Sequence, residues 1–158
     1  MGKKRARFFV PSNTGRQRLN IHGSLNIRTK EVITLFQNTV NQEGTLELLK
    51  ELRKMSGERE MYIISDNARY YRAKSIQEYA ASNNITMNYL PVYSPNLNII
   101  ERLWKFFGNE VLSKCYYHFD DFKAKCKDFF ANLSQQQLDT LFSTKFQIIR
   151  KTLNIIFP

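Results

Sequence analysis

Not one Asp or Glu occurs in the first 30 residues. That stretch instead carries eight Lys or Arg: Lys3, Lys4, Arg5, Arg7, Arg16, Arg18, Arg28 and Lys30. The remaining sixteen of the 24 bases face all 14 acids, so most of the net charge of +10 sits in the first fifth of the chain. Such a block suits a phosphate backbone, because neutralising phosphates releases condensed counterions. It is equally the composition of a solvated tail or a charged edge strand. Other absences narrow the field further. No apolar run approaches the roughly 20 residues of a membrane span, and no apolar stretch of signal-peptide type follows the basic start, so neither a membrane protein nor a secretion signal is read. The two cysteines, Cys115 and Cys126, fit no zinc or redox spacing and read as cytosolic thiols of a helical region. His22 and His118 have no partner at metal-ligand spacing and read as structural. Internal repeats and low-complexity segments are also lacking.

What remains is the composition of an ordinary folded domain. The 158 residues suit one domain rather than two, and a hydrophobic share of 42% with 13% aromatics is enough to bury a core. Residues 1–15 form a basic N-terminal segment, with 10–15 (VPSNTG) a loop. Residues 18–27 (RLNIHGSLNI) alternate loosely between apolar and polar and predict a strand, with Gly23 a candidate bulge. Residues 31–36 (EVITLF) predict a second strand paired with the first. Leu46, Leu49, Leu52 and Met55 recur at helical spacing and predict an amphipathic helix over 41–55. A short strand over 61–65 (MYIIS) leads to Asp66, a helix follows over 72–82, and another strand over 85–90 (ITMNYL) runs into a proline-rich turn. After Asn98 comes a helix with Ile100, Leu103, Trp104, Phe107 and Val111 as its apolar stripe, and from about residue 119 the chain is helical. Strands alternating with helices predict an α/β fold with a mixed sheet flanked by helices.

Two local patterns carry chemistry. Ser65-Asp66-Asn67-Ala68 puts a carboxylate at the end of a buried strand, where α/β folds place ligands and where a hard divalent cation finds oxygen donors. The same Asp can simply cap the turn that follows. Farther on, Pro95 fixes the entry to a helix and Glu101 falls in its first turn, three residues after Asn98. Asn-x-x-Glu is also the form of a capping box. Yet the neighbours of Glu101 are nearly all apolar, and a carboxylate held rigidly among them is well placed to bind a metal.

Taken together the two patterns are far more specific. Asp66-Asn67-Ala68, then Ser94-Pro95-x-Leu97-Asn98-x-x-Glu101-x-x-Trp104, with 34 residues between the two acids, closely resembles the second and third acidic positions of the mariner-superfamily transposases, in particular their bacterial insertion-sequence branch. The resemblance extends from about Arg16 to the final helices. It implies an RNase H-like fold, an Asp-Asp-Glu triad in which Asp66 and Glu101 are the second and third members, and two bound Mg²⁺ or Mn²⁺ ions that activate the attacking oxygen and stabilise the leaving one. It further implies DNA (transposon ends and target) as substrate, association into homo-oligomers or with full-length transposase, and a cytoplasmic, nucleoid-associated location in a prokaryote.

Two departures stand out. Ile99 replaces a proline common in relatives, a mild change because that proline only pre-sets the helix start. The family's first Asp lies on a strand upstream of the one matched by residues 18–27, and here the first acid of any kind is Glu31. The expectation is therefore a single partial domain lacking its first strand, its first carboxylate and the helix-turn-helix region that normally precedes it. Such a chain is expected to be catalytically silent alone, its two-ion site complete only in the whole domain; the alternative is a non-catalytic remnant that binds DNA or oligomerises. Asn67 and Asn98 are supporting candidates at the site, and Arg16, Arg18, Arg69 and Arg72 are the candidate DNA contacts. The tyrosines, Tyr70 and Tyr71 among them, either stack on bases or pack in the core.

Overall fold

A computed structural model of the chain describes residues 17–91 and 97–142. The expectations that rest on Arg16, on the 10–15 loop and on Ser94 and Pro95 lie outside the described residues.

Strand β1 (Asn20–Leu25) pairs antiparallel with β2 (Val32–Gln37), with Asn20 opposite Gln37 and Leu25 opposite Val32. The turn between them closes on Asn26, whose side-chain oxygen accepts from the Arg28 and Thr29 amides. Pairing is regular through Gly23, which faces Thr34, so the expected bulge is not formed. Helix α1 (Gln42–Ser56) starts where the Asn41 side chain accepts from the Gly44 amide at 2.9 Å, and stops at Gly57, whose φ of 62° suits glycine. Its buried face is Gly44, Thr45, Leu48 and Leu49, while Met55 is exposed. The stripe is thus rotated from the expected one. Small Gly44 and Thr45 allow close approach to the hairpin, and the Thr45 hydroxyl is satisfied by the Asn41 carbonyl at 2.9 Å.

Strand β3 (Met61–Ser65) is followed by a 3-10 turn (Arg69–Arg72), helix α2 (Lys74–Ser82) and strand β4 (Ile85–Tyr89), which returns parallel to β3. The expected helix over 72–82 therefore begins two residues later. Ala73 is extended, and the Tyr71 carbonyl, which a continuous helix would use, accepts instead from the Tyr89 hydroxyl at 3.0 Å. Ile76, Ala80 and Ile85 are buried with Leu48 and Leu49, where α2 packs on β4 and α1.

Helix α3 (Ile100–Phe107) continues through a π-helical turn (Gly108–Leu112), then come α4 (Phe119–Ala131) and α5 (Gln135–Leu141). Leu103 packs with Leu138 and Leu141, and Phe107 and Val111 with Cys126, against Leu19, Ile21 and Phe36 of the hairpin. β1 is thereby sandwiched: Leu19, Ile21 and Gly23 face α3 and α4, while His22 faces α1 and the 3-10 turn. The α/β class expected from the sequence is present, with both antiparallel and parallel pairing. Among the described residues, however, the strands form two separate two-stranded ladders, β1–β2 and β3–β4.

Candidate active site

Asp66 follows the last residue of β3 and is exposed. Its Oδ1 accepts from the Ala68 amide at 3.1 Å, a local turn that fixes the carboxylate's direction. Asn67, half-buried, lies in the same turn. The turn is held from the far side by Tyr71, whose amide donates to the Ala68 carbonyl at 3.1 Å. The Leu90 amide donates to the Ser65 carbonyl at 2.9 Å, extending the β3–β4 ladder to the residue before Asp66.

Glu101 is also exposed, in the first turn of α3. The capping box that Asn-x-x-Glu could also form between Asn98 and Glu101 is not the arrangement observed. Asn98 places its side-chain oxygen 3.4 Å from the Ile100 amide, and its carbonyl accepts from Glu101 at 3.1 Å. The residue preceding the helix, Ile99, is buried and already helical in backbone. What fixes Glu101 is the apolar underside of its helix. Leu103 is fully buried, and the Trp104 ring lies 5.8 Å from that of Phe130, centroid to centroid. The Arg102 guanidinium donates to the Leu141 carbonyl at 2.8 Å, tying α3 to α5. Trp104 also covers β1: a Cβ on Gly23 would stand 3.0 Å from the Trp104 Cη2. Gly23 is thus present for close approach of an aromatic ring, not for a bulge.

Of the other candidates, Arg18 is exposed just before β1 and Arg69 is exposed in the 3-10 turn. Arg72 lays its guanidinium over the Tyr89 ring, 4.6 Å from the centroid, a cation–π contact. Among the described residues no group of three or more His, Cys, Asp or Glu is placed to hold a metal ion. Asp66 and Glu101 are two exposed carboxylates, one after a strand end and one in the first turn of a helix.

Sequence reasoning passed over the polar cluster behind Asp66. His22 is 5% exposed, and its Nε2 lies 3.0 Å from the Tyr71 hydroxyl, 49 positions away. Its ring meets Tyr70 and Tyr71 edge-on. Burial lowers the His22 pKa from 6.5, against smaller opposing contributions from the Gln37 side chain and the Asp66 charge. Burial, with the neighbouring Tyr70 and then Asp66, raises that of Tyr71, which stays a phenol. The alternating pattern of β1 puts Asn20, His22 and Ser24 on one face, but nothing in the sequence names the partner of His22.

A sequence-family model described as a DDE superfamily endonuclease matches residues 2–123. The structure of the Mos1 transposase catalytic domain with raltegravir and Mn is similar over 78% of this chain and 75% of that one, at 15% identity and a TM-score of 0.59. The catalytic domain of Mos1 mariner transposase aligns over 78% and 74%, at 13% identity and a TM-score of 0.56. The Mos1 mariner paired end complex with Mn aligns over 85% of this chain but only 46% of that one, at 17% identity and a TM-score of 0.56. At such identities the likeness is one of fold, the RNase H-like α/β fold. Comparison with curated proteins finds no match.

Proposed function

Since the chain belongs to the DDE superfamily endonuclease family, we propose that it is a transposase catalytic domain that serves metal-dependent cleavage and transfer of DNA strands. The observation that carries this reading is the pair Asp66 and Glu101: 34 residues lie between them, one at a strand end and one in the first turn of a helix, both exposed. Their donors are carboxylate oxygens, which fit Mg²⁺ or Mn²⁺. Bound there, such ions supply activation of the attacking oxygen and stabilisation of the leaving oxygen. The Ala68 amide holds the Asp66 carboxylate in one orientation, and Asn67 shapes the turn. Arg18 and Arg69 offer charge to the DNA backbone, and Arg72 does so from its seat on Tyr89. Support comes from the Mos1 neighbours, which are described with Mn, with Mg, and as complexes with a transposon end or in strand transfer. The bacterial insertion-sequence branch is the finer assignment, resting on the Ser94-to-Trp104 motif. A nucleoid location follows from the DNA substrate; among the described residues no helix is long and apolar enough to cross a membrane.

Two carboxylates on these supports do not make a three-ligand centre, and residues 1–30 contain no acid. The 158 residues alone are therefore expected not to cut. A second reading, DNA binding or association with intact transposase without catalysis, is favoured by the acid-free basic block at 1–30. Nicking of supercoiled plasmid in Mg²⁺ or Mn²⁺ separates these readings. The 158-residue chain should leave plasmid intact. A fusion of the chain to an upstream Asp-bearing strand should nick it, and Asp66→Asn or Glu101→Gln in the fusion should abolish the nicking. Nicking that survives both substitutions refutes the assignment. Salt-sensitive DNA binding with no nicking by the fusion leaves the second reading.

A further inference from the structure

The two ladders carry different halves of the proposed site's supports. β3 delivers Asp66, whereas the β1–β2 hairpin is the platform on which the helix of Glu101 lies. No strand pairing links the ladders among the described residues, so something else must fix one against the other. The polar cluster behind Asp66 has the right connections. His22 on β1 bonds the Tyr71 hydroxyl at 3.0 Å. The Tyr71 amide bonds the Ala68 carbonyl at 3.1 Å, and the Ala68 amide bonds Asp66 Oδ1 at 3.1 Å. The Tyr71 carbonyl accepts from the Tyr89 hydroxyl of β4 at 3.0 Å. Tyr71 is thus a hub, reaching β1 through its side chain, β4 through its carbonyl and the Asp66 turn through its amide.

We propose that His22 is a positioning residue, which through Tyr71 locks the Asp66 turn to the β1–β2 hairpin and so to the helix of Glu101. The same strand serves both ends: His22 on one face meets the Asp66 side, and Gly23 on the other meets Trp104, three residues after Glu101. A buried hydrogen-bonded histidine is a costly way to fill space, because its polar atoms must be satisfied. Its Nε2 accepts a hydrogen bond from the Tyr71 hydroxyl when Nδ1 carries the ring proton. Among the described residues, neither the buried Nδ1 nor the buried Oε1 of Gln37 has a hydrogen-bond partner. Gln37 pairs with Asn20, two residues before His22, so these two atoms lie on the same face as a complementary donor and acceptor.

The importance of this lock rests on the proposed role of Asp66; its existence does not, and amide exchange reads it without metal or DNA. The probes are the Ala68 and Tyr71 amides, against the Leu48 and Leu49 amides of α1 as the global reference, by NMR of the 158-residue chain. Tyr71→Phe, which keeps the ring, and His22→Phe should each speed exchange at Ala68 and Tyr71 by about tenfold, the effect of one partly buried hydrogen bond. Leu48 and Leu49, which report global unfolding, should speed by no more than the same factor. His22→Gln, whose amide oxygen can take the Nε2 position as an acceptor, should restore slow exchange. Unchanged exchange at Ala68 and Tyr71 in Tyr71→Phe, a rise at Leu48 and Leu49 without one at Ala68 and Tyr71 in His22→Phe, or His22→Gln behaving as His22→Phe would each overturn the proposal. The nicking assay above is independent of this result, so failure of one reading is distinguishable from failure of the other.

Discussion

Gly23→Ala tests whether the Glu101 helix is seated on β1 as described. The backbone at Gly23 is not left-handed, so alanine meets no conformational strain there. Its methyl would stand 3.0 Å from Trp104 Cη2, 3.1 Å from Cζ2 and 3.3 Å from the Ile33 carbonyl oxygen. Carbon atoms rest at about 3.5–4.0 Å, so the ring must retreat by roughly half an ångström or more. The carbonyl cannot yield, since Ile33 is held in the ladder opposite Ser24. The ring has little room behind it, with Phe107 and Phe130 at centroid distances of 6.5 and 5.8 Å. Overpacking of this kind costs about 1–3 kcal/mol, and removing a strand glycine returns about 0.5–1 kcal/mol. The net expectation is a destabilisation centred near 1 kcal/mol and reaching at most about 2.5 kcal/mol, or about 2–4 °C in Tm at the centre for a chain of this size. Trp104 is the sole tryptophan, so its fluorescence during thermal or urea unfolding reports both the shift and the ring's new environment. The decisive measurement is the double-mutant cycle with Trp104→Phe, followed by circular dichroism in all four proteins because that variant has no tryptophan; its smaller ring should accept the methyl and remove most of the penalty. An equal penalty in both backgrounds, or a stabilised single variant, would refute the packing argument.

Three more expectations follow from the same geometry. Burial, opposed more weakly by the Gln37 side chain and the Asp66 charge, holds the folded-state pKa of His22 below 6.5. Its contribution to stability is therefore complete above pH 6.5 and is lost as pH falls through the lowered folded value, so His22→Gln should flatten the acid limb of a stability–pH profile; equal slopes would remove His22 from the account. Glu101→Gln should change the urea midpoint by less than the equivalent of about 0.5 kcal/mol, as expected of an exposed side chain; a loss near 1 kcal/mol would return Glu101 to a capping role. Burial pushes the Cys126 thiol up to about 11, so in the native protein Ellman's reagent at pH 8 should titrate exposed Cys115 quickly and Cys126 only on unfolding. Equal rates would contradict the packing of α4 beneath α3.

Much of this protein was legible in the sequence because it depends on short-range pattern. The alternation over 18–27 and the run MYIIS give strands, since side chains in a strand point to opposite faces whatever lies around them. Asn41 and Gly57 bound α1 through local hydrogen bonding and backbone freedom. The spacing of Asp66 and Glu101 is a property of the chain itself, as is the concentration of positive charge before residue 31. What the tertiary structure decided were matters of contact between distant segments. Periodicity allowed α1 several adjacent faces, and the close approach of the hairpin selected the one centred on Thr45 and Leu48. Gly23 looked like a bulge until Trp104 was found against it, 81 positions later in the chain. His22 looked isolated because its partner, Tyr71, is 49 residues away. Local propensity is written residue by residue, but a hydrogen bond or a ring contact exists only once folding has brought its two halves together. The placement of the two carboxylate supports depends on such contacts.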